Sequence, residues 1–493
     1  MVTTRSQARA HEAPIAAFPD VRVAADSSTP SVSQTRPISI HSDSRSTIGT
    51  HFSEAPDGDV PPTYTIDLSL PPQQRYVDLA LAYKAELLSL TSLFDEVAAS
   101  TGISNVALVK SAARLLLRGL HSHEQTEELR GIANAVGLEM YLLVAFNTLL
   151  DLFMGCTSGG VRTRAGPDAP TARMVHFRTL DWGMEALRRV AVTLAFVRRR
   201  GGPVVARALS YVGFVGVLTA VRPGLSVSLN FRPTHDASSA WRAARFRAHQ
   251  LLVLLGRRPS VAALLRAYIV PAAPRRARGK AAASVAAAPE APELAELERT
   301  FPGVPSTAAY VVASDGARTT VFEKDRSGAA VRSSRAFIVA TNHDAAMEPA
   351  IAAHTAAAAA ASDGGAGARR DAPVTAELRI GGVELRDGAV LLDMLAESLD
   401  RAGCMRAKWE EVERRFGEAG RAAAGGERGA GEKEEREEPW VDQDTVVRWL
   451  CEYPTTNEMT HFACVMDPTN GEIVWSRRWE EPAYVFDDDE DTN

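Results

Sequence analysis

The chain is poor in cysteine: four residues in 493, Cys156, Cys404, Cys451 and Cys464, too few for a disulfide scaffold. Long apolar runs are missing too. The opening MVTTRSQARAHEAPIAAF lacks the continuous apolar stretch of roughly 7–15 residues that a signal peptide needs. No uninterrupted run approaches the roughly 18 apolar residues of a membrane helix; in LRRVAVTLAFVRRR the arginines cut it short. These absences read as a soluble chain with the cytoplasm as its default location. A charge excess is also absent. Lys and Arg number 55 against 61 Asp and Glu, a net charge of -6, which offers no basic field for nucleic acid. His176 and His343 stand at no zinc-like spacing from any cysteine, so neither a metal nor any other cofactor is expected. No internal repeat is visible.

What is present divides into segments. Residues 1–59 are rich in Ser, Thr, Pro and Asp and read as disordered. Residues 60–155 form a mainly helical portion. It opens with a strand signal in PPTYTIDLSL, where Tyr64, Ile66, Leu68 and Leu70 alternate. Helical patterns follow in QQRYVDLALAYKAELLSLTSLFDEVAA and in VALVKSAARLLLRGLHSHEQTEELRGIANAVG, the latter in two pieces. MYLLVAFNTLLDLF then runs into Met154-Gly155-Cys156. After Cys156 the pattern changes to short β-rich runs separated by turn residues, expected to form an antiparallel meander. This portion, residues 156–480, contains helices near 240–255 and 261–269 and three low-complexity insertions, near 271–292, 352–370 and 417–438. Strands return in TAAYVVASD, RTTVFEKD and SRAFIVATNHD, then a helix in TVVRWLCEY and a hairpin turning at Pro468-Thr469-Asn470-Gly471. Residues 481–493 make an acidic tail.

Taken singly, the chemistry-bearing residues have ordinary readings. A cysteine is commonly a small buried hydrophobe. Arg178 and Asp181 suit a surface ion pair on a hairpin, Asn342 a turn, and Arg401 a solvated charge at a helix end. The order in which they occur says more. Gly155-Cys156-Thr157-Ser158 precedes His176-Phe177-Arg178-Thr179-Leu180-Asp181, then Tyr211-Val212-Gly213, Leu229-Asn230, Ala340-Thr341-Asn342-His343-Asp344 and Asp400-Arg401.

This ordered set resembles the acid ceramidase and N-acylethanolamine-hydrolysing acid amidase family. These are cysteine N-terminal-nucleophile (Ntn) hydrolases related to bile-salt hydrolases. PPTYTIDLSLPP is similar to the family's amino-terminal subunit. The resemblance implies an α+β fold, an Ntn-hydrolase αββα sandwich of antiparallel sheets preceded by the helical amino-terminal portion. It implies autocleavage between Gly155 and Cys156, giving Met1–Gly155 and Cys156–Asn493, which remain associated. It also implies catalytic roles for Cys156, Arg178, Asp181, Asn342 and Arg401, with Asn230 as a candidate oxyanion or substrate contact.

The residue types suit such chemistry. A thiol attacks as thiolate, and a free cysteine titrates near about 8.5. The α-amine of a terminal Cys156, titrating near about 7.7–8.0, can take its proton. Asp181 can hold that amine, and Arg178 is expected to lower the pKa of the thiol. The NH2 of Asn342 is expected to face an oxyanion, and Arg401 to anchor Asp181 or the substrate carbonyl. The expected partner is a lipid amide, with the amide of an N-acyl sphingoid base as the leading substrate and transient contact with a membrane surface. N-acylethanolamines or other fatty amides are the alternative, as is a non-catalytic lipid-binding relative. Three positions depart from the family pattern: Thr179 where Asn is usual, Gly159-Gly160 where apolar residues are usual, and Phe231 where Glu is usual.

Overall fold

The computed structural model describes residues 53–54, 58–91, 106–149, 155–164, 171–270, 293–362, 378–380, 383–385, 388–424 and 438–485. Most of the expected disordered segment, the 271–292 linker and most of the acidic tail lie outside these residues; Ser53–Glu54, placed in that segment, form a short strand. The described residues belong to one unit, Thr50–Asn493.

Two sheets stack face to face. The larger is built from β1 (Thr63–Asp67), β4 (Ala191–Val197), β5 (Val204–Tyr211), β6 (Thr219–Arg222), β7 (Leu225–Phe231), β8 (Ala309–Ser314), β9 (Thr319–Lys324) and β10 (Ala329–Ser334). Its order is β10-β9-β8-β7-β6-β5-β4-β1. The smaller contains β2 (Gly155–Thr163), β3 (Arg173–Asp181), β11 (Phe337–Ala340), β12 (Thr460–Asp467) and β13 (Glu472–Arg478), in the order β11-β2-β3-β12-β13. β2 packs on β7, β8 and β9, β3 on β8, and β12 on β6, so the two sheets share an interior. The expected single meander is therefore corrected: the chain after Cys156 makes one hairpin in the smaller sheet, crosses to the larger one, and returns. Every strand from β2 to β9 is largely buried, and hydropathy cannot tell which of two stacked sheets a buried strand joins.

Helices cover both outer faces. On the amino-terminal side lie α1 (Val77–Ala82), α2 (Lys84–Ser89), α3 (Val106–Leu116), α4 (His123–Val136) and α5 (Met140–Leu149), followed later by α6 (Ala240–Leu254), α7 (Val261–Ile269) and the short α8 (Leu294–Thr300). α7 packs on β6 and β7. Serine hydroxyls at 122, 239 and 260 accept N–H groups in the first turns of α4, α6 and α7, as helix N-termini require. α9 (Glu348–Ser362), α10 (Gly388–Ala424) and α11 (Gln443–Cys451) cover the smaller sheet: α10 packs on β11 and β2, α11 on β3 and β12. The result is an α+β, αββα sandwich. The helical amino-terminal portion also gives a strand, since β1 closes the edge of the larger sheet by pairing parallel to β4. The alanine run expected as a low-complexity insertion begins within helix α9. The charged insertion begins as the last turns of α10.

The Gly159-Gly160 departure has a steric cause. A Cβ on Gly159 would collide with the carbonyl oxygen of Ile338 and the ring of Phe177. One on Gly160 would meet the side chain of Thr319 across the sheets. The glycines let β2 approach β11 on one side and the larger sheet on the other.

Between the sheets the interior is partly polar. His176 of β3 reaches Ser226 Oγ (2.9 Å) and Ser228 Oγ (2.8 Å) of β7, and burial, then Arg178, push its pKa down to about 3. His461 of β12, between Tyr211 Oη and the Trp182 carbonyl, is pushed down to about 3 by burial and Arg188. Each ring is neutral when folded and titrates near 6.5 when unfolded. The unfolded chain thus binds more protons between these values, so stability is full above about pH 6.5 and is lost as pH falls toward 3. Each ring accounts for up to about 1.4 kcal/mol per pH unit in that window. A melting temperature that falls between pH 7 and pH 5 is expected; one that rises over that range contradicts this reading of the two buried rings.

Candidate active site

Cys156 is the second residue of β2, and its thiol is fully buried. Strand alternation decides what surrounds it. In the β2–β3 ladder Gly155 pairs with Asp181, Cys156 with Leu180 and Ser158 with Arg178. Cys156, Ser158 and Arg178 therefore point between the sheets, whereas Asp181 points toward α10. Arg178 and Asp181, three residues apart, lie on opposite faces of β3 and flank Cys156 from both sides.

On the inner face, Arg178 Nη2 lies 3.3 Å from Cys156 Sγ. Its Nη1 donates to Ser158 Oγ (3.1 Å) and to Asn230 Oδ1 (2.5 Å). Asn230, from β7, turns its NH2 to the carbonyls of Ala340 (3.1 Å) and Thr341 (3.2 Å). The expected substrate contact thus has its carboxamide engaged in joining the sheets and steadying Arg178. The next residue supplies what Asn230 does not: the main-chain N–H of Phe231 hydrogen-bonds the Cys156 thiol.

On the other face, the Cys156 N–H donates to Asn342 Oδ1 (2.8 Å), which also accepts from Arg401 Nη2 (3.0 Å). The Asn342 NH2 donates to the Phe231 carbonyl (2.8 Å). The carboxamide therefore presents its oxygen to Cys156, not the NH2 expected from sequence. Both groups on that side, an amide N–H and a guanidinium, are donors only, so the acceptor end must face them. Asp181 Oδ1 accepts from Thr460 Oγ1 (2.7 Å), and its Oδ2 lies 3.9 Å from Arg401 Nε. Oδ2 has no hydrogen-bond partner among the described residues. A Cβ on Gly155 would stand 3.1 Å from the Asp181 Cβ and 3.5 Å from this Oδ2. The glycine thus leaves the carboxylate room beside the Gly155–Cys156 bond.

All seven residues singled out from sequence meet in this cluster, and the surface readings of Arg178, Asp181 and Arg401 fail, since each is buried; Asn342 stands at a bend, as the turn reading has it, and is buried too. Arg178 does lower the Cys156 pKa, as expected, but it does not decide the state of the thiol. Burial raises the Cys156 pKa, and Asp181 adds to the rise, while Arg178 and Arg401 pull it down without reversing it. Desolvation of the thiolate outweighs two nearby guanidinium groups. Burial also raises Asp181, against Arg401 and Thr460. In the uncut chain the pair is thus held toward its protonated forms. Among the described residues no group of His, Cys, Asp and Glu is arranged to hold a metal, and no helix is long and apolar enough to cross a membrane.

Comparison with known proteins leads in the same direction. Residues 59–121 match the family model described as the beta subunit of N-acylethanolamine-hydrolyzing acid amidase. The chain is 34% identical over 193 residues to acid ceramidase of Mus musculus and 30% identical over 190 residues to that of Homo sapiens. Each match covers 35% of this chain and 45% of the relative, so the chain spans about half the length of the curated relatives it matches. A solved structure, the Caenorhabditis elegans N-acylethanolamine-hydrolyzing acid amidase ortholog, aligns over 66% of this chain and 100% of its own at 19% identity, with a TM-score of 0.38. By these matches and the ordered motifs gathered around Cys156, the chain is similar to acid ceramidase over about a third of its length and to the beta subunit of N-acylethanolamine-hydrolyzing acid amidase over residues 59–121.

Proposed function

We propose that this chain is a self-processing cysteine amidase that cleaves the amide of N-acyl sphingoid bases. The observation that carries the reading is the joint placement of the Cys156 thiol and the Cys156 main-chain nitrogen. One sits against Arg178; the other donates to Asn342, which accepts from Arg401, itself beside Asp181.

In the first step the thiol attacks the Gly155 carbonyl carbon. A C–S bond forms, the Gly155–Cys156 C–N bond breaks, and the thiol's proton ends on the nitrogen, which leaves as an amine. Asp181, beside Gly155 and held toward its protonated form, suits transfer of that proton. Water then opens the thioester, leaving a Gly155 carboxylate and a free Cys156 thiol. Asn342 Oδ1, already the acceptor of the Cys156 N–H, and the unpartnered Asp181 Oδ2 then hold the new α-amine.

In the second step the α-amine takes the thiol proton and sulfur attacks the amide carbonyl of the substrate. Charge develops on the carbonyl oxygen next to the donors nearest sulfur, Arg178 and the Phe231 N–H; donors so placed are typically worth about 2.7–4 kcal/mol. Collapse breaks the substrate C–N bond, the leaving amine takes the proton from the Cys156 α-ammonium, and water then opens the thioester, releasing the fatty acid and regenerating the thiol. The identities to acid ceramidases favour a sphingoid-base amide. The match of residues 59–121 favours an N-acylethanolamine as the second reading.

Cleavage would leave two pieces joined without a covalent bond. β1 contributes a five-residue ladder with β4. Glu128 forms a buried bidentate pair with Arg266 (2.6 and 2.7 Å). Asn147 donates to the Gly213 carbonyl (2.9 Å) and accepts from the Val215 N–H (2.8 Å). Removing one partner of a buried pair costs about 3–5 kcal/mol. Glu128→Ala is therefore expected to lower the melting temperature of the processed protein and to separate residues 1–155 from 156–493 on size exclusion. Co-elution at unchanged stability would show that the pair holds nothing.

Intact-mass spectrometry should find a fragment beginning at Cys156, and Cys156→Ala should abolish both that fragment and hydrolysis of a short-chain N-acylsphingosine. Hydrolysis that survives the substitution refutes the nucleophile. Hydrolysis confined to N-acylethanolamines selects the second substrate. Thiol chemistry gives an independent check. Before cleavage, iodoacetamide at neutral pH is expected to modify the half-buried Cys404 and Cys451 ahead of Cys156, because a buried, protonated thiol reacts poorly. Early labelling of Cys156 in the uncut chain, read by peptide mapping, would contradict the closed site.

A further inference from the structure

We propose that Ser398 is a positioning residue, which fixes Asn342 from behind and ties it through His343 to the Glu348–Arg406 ion pair. The inference rests on the role given above to Asn342 and extends it to residues that no motif indicated. α10 buries one stripe, Leu395, Ser398, Ala402, Met405 and Trp409, at alternating spacings of three and four residues, the pattern of an apolar seam. Four of the five are apolar; Ser398 has no exposed surface, and Arg401 is buried beside the stripe. A hydroxyl at such a position costs stability unless it is fully hydrogen-bonded.

It is fully bonded, and its partners belong to the Asn342 segment. Ser398 Oγ accepts the main-chain N–H of Asn342 (2.7 Å). It lies 2.8 Å from His343 Nδ1 and 2.9 Å from Thr341 Oγ1. The Thr341 hydroxyl donates to the Ser398 carbonyl (2.9 Å). His343 Nε2 faces Glu348 Oε1 (3.2 Å), and Arg406 holds both oxygens of Glu348 (2.7 and 2.8 Å). A carboxylate only accepts, so Nε2 carries the proton and Nδ1 is left as an acceptor facing the Ser398 hydroxyl, whose single hydrogen is also offered to Thr341 Oγ1. Three residues on, one helical turn away on the same side of α10, Arg401 donates to the Asn342 side chain (3.0 Å). A single turn of α10 thus holds Asn342 by main chain and side chain together, and Asn342 Oδ1 in turn holds the Cys156 nitrogen.

The test uses the full-length protein, its self-cleavage, and hydrolysis of a short-chain N-acylsphingosine and an N-acylethanolamine. Ser398→Ala is expected to slow cleavage and to lower kcat at least tenfold with KM within twofold. Ser398→Thr, which keeps the hydroxyl, is expected to restore most of the loss. Hydrogen exchange at residues 341–343 is expected to quicken in Ser398→Ala while exchange in β6 and β7 stays as in the parent. A folded Ser398→Ala with parental kcat overturns the proposal, as does a loss that Ser398→Thr does not repair. If Ser398→Ala does not fold, Glu348→Gln takes its place: a several-fold fall in kcat at constant KM supports the relay, and parental kcat overturns it. A parent chain that neither cleaves nor hydrolyses refutes the proposed function instead. The exchange measurement then still decides the clamp, because unchanged protection at 341–343 in Ser398→Ala would dismiss it.

Discussion

The structure turns on one main-chain hydrogen bond, the Cys156 N–H to Asn342 Oδ1. An amide nitrogen in the second position of an edge-proximal strand ordinarily has a ladder partner, and no chemistry follows from it. Here a side-chain oxygen takes it, and that oxygen is fixed by Arg401. The nitrogen is thereby held apart from the ladder at the point where the chain enters the sheet. Its sulfur is held on the other side of the same backbone by Arg178. Strand alternation makes this two-sided grip available, because residues three apart on β3 face opposite ways.

The same enclosure holds the Cys156 thiol toward its protonated, poorly reactive form. Two guanidinium groups near a thiol ordinarily favour thiolate, yet burial wins at Cys156 and the thiol stays protonated. In the proposed reading the break at Gly155 removes the peptide that completes the enclosure and adds a base on the same residue. The latent and working states then differ by one covalent bond, with no rearrangement of the sheets.

Much of this was legible in sequence, for definable reasons. Cys156, Arg178, Asp181, Asn342 and Arg401 carry side chains whose chemistry shows in the residue type, and their order along the chain is preserved. Helices α6, α7 and α11 follow from apolar periodicity and their capping residues. The division of the strands between two sheets was not legible, because strands buried on both faces lose the alternation that marks an inner and an outer side. β10 escaped notice because its burial is patchy. The Phe231 N–H is a main-chain donor, which no residue type announces. Ser398 is a serine in a long helix and gains meaning only when its neighbours on α10 are seen to be buried.

The departures at Gly159, Gly160 and Phe231 can now be separated by cause. The two glycines answer to packing, since any side chain at either would push β2 away from β11 or from Thr319. They imply no change in chemistry. Phe231 is different, because its backbone and its side chain serve separate ends. The backbone bridges the two halves of the site, N–H toward the Cys156 thiol and carbonyl toward the Asn342 NH2, and any residue type can supply those two atoms. The side chain is therefore free to change without disturbing the nucleophile. It packs against the main apolar core rather than adding charge near sulfur. In the proposed reading, an aromatic ring at this position leaves intact the two main-chain atoms that the cleavage uses, so the departure at Phe231 bears on the charge near the site and not on the nucleophile's own contacts.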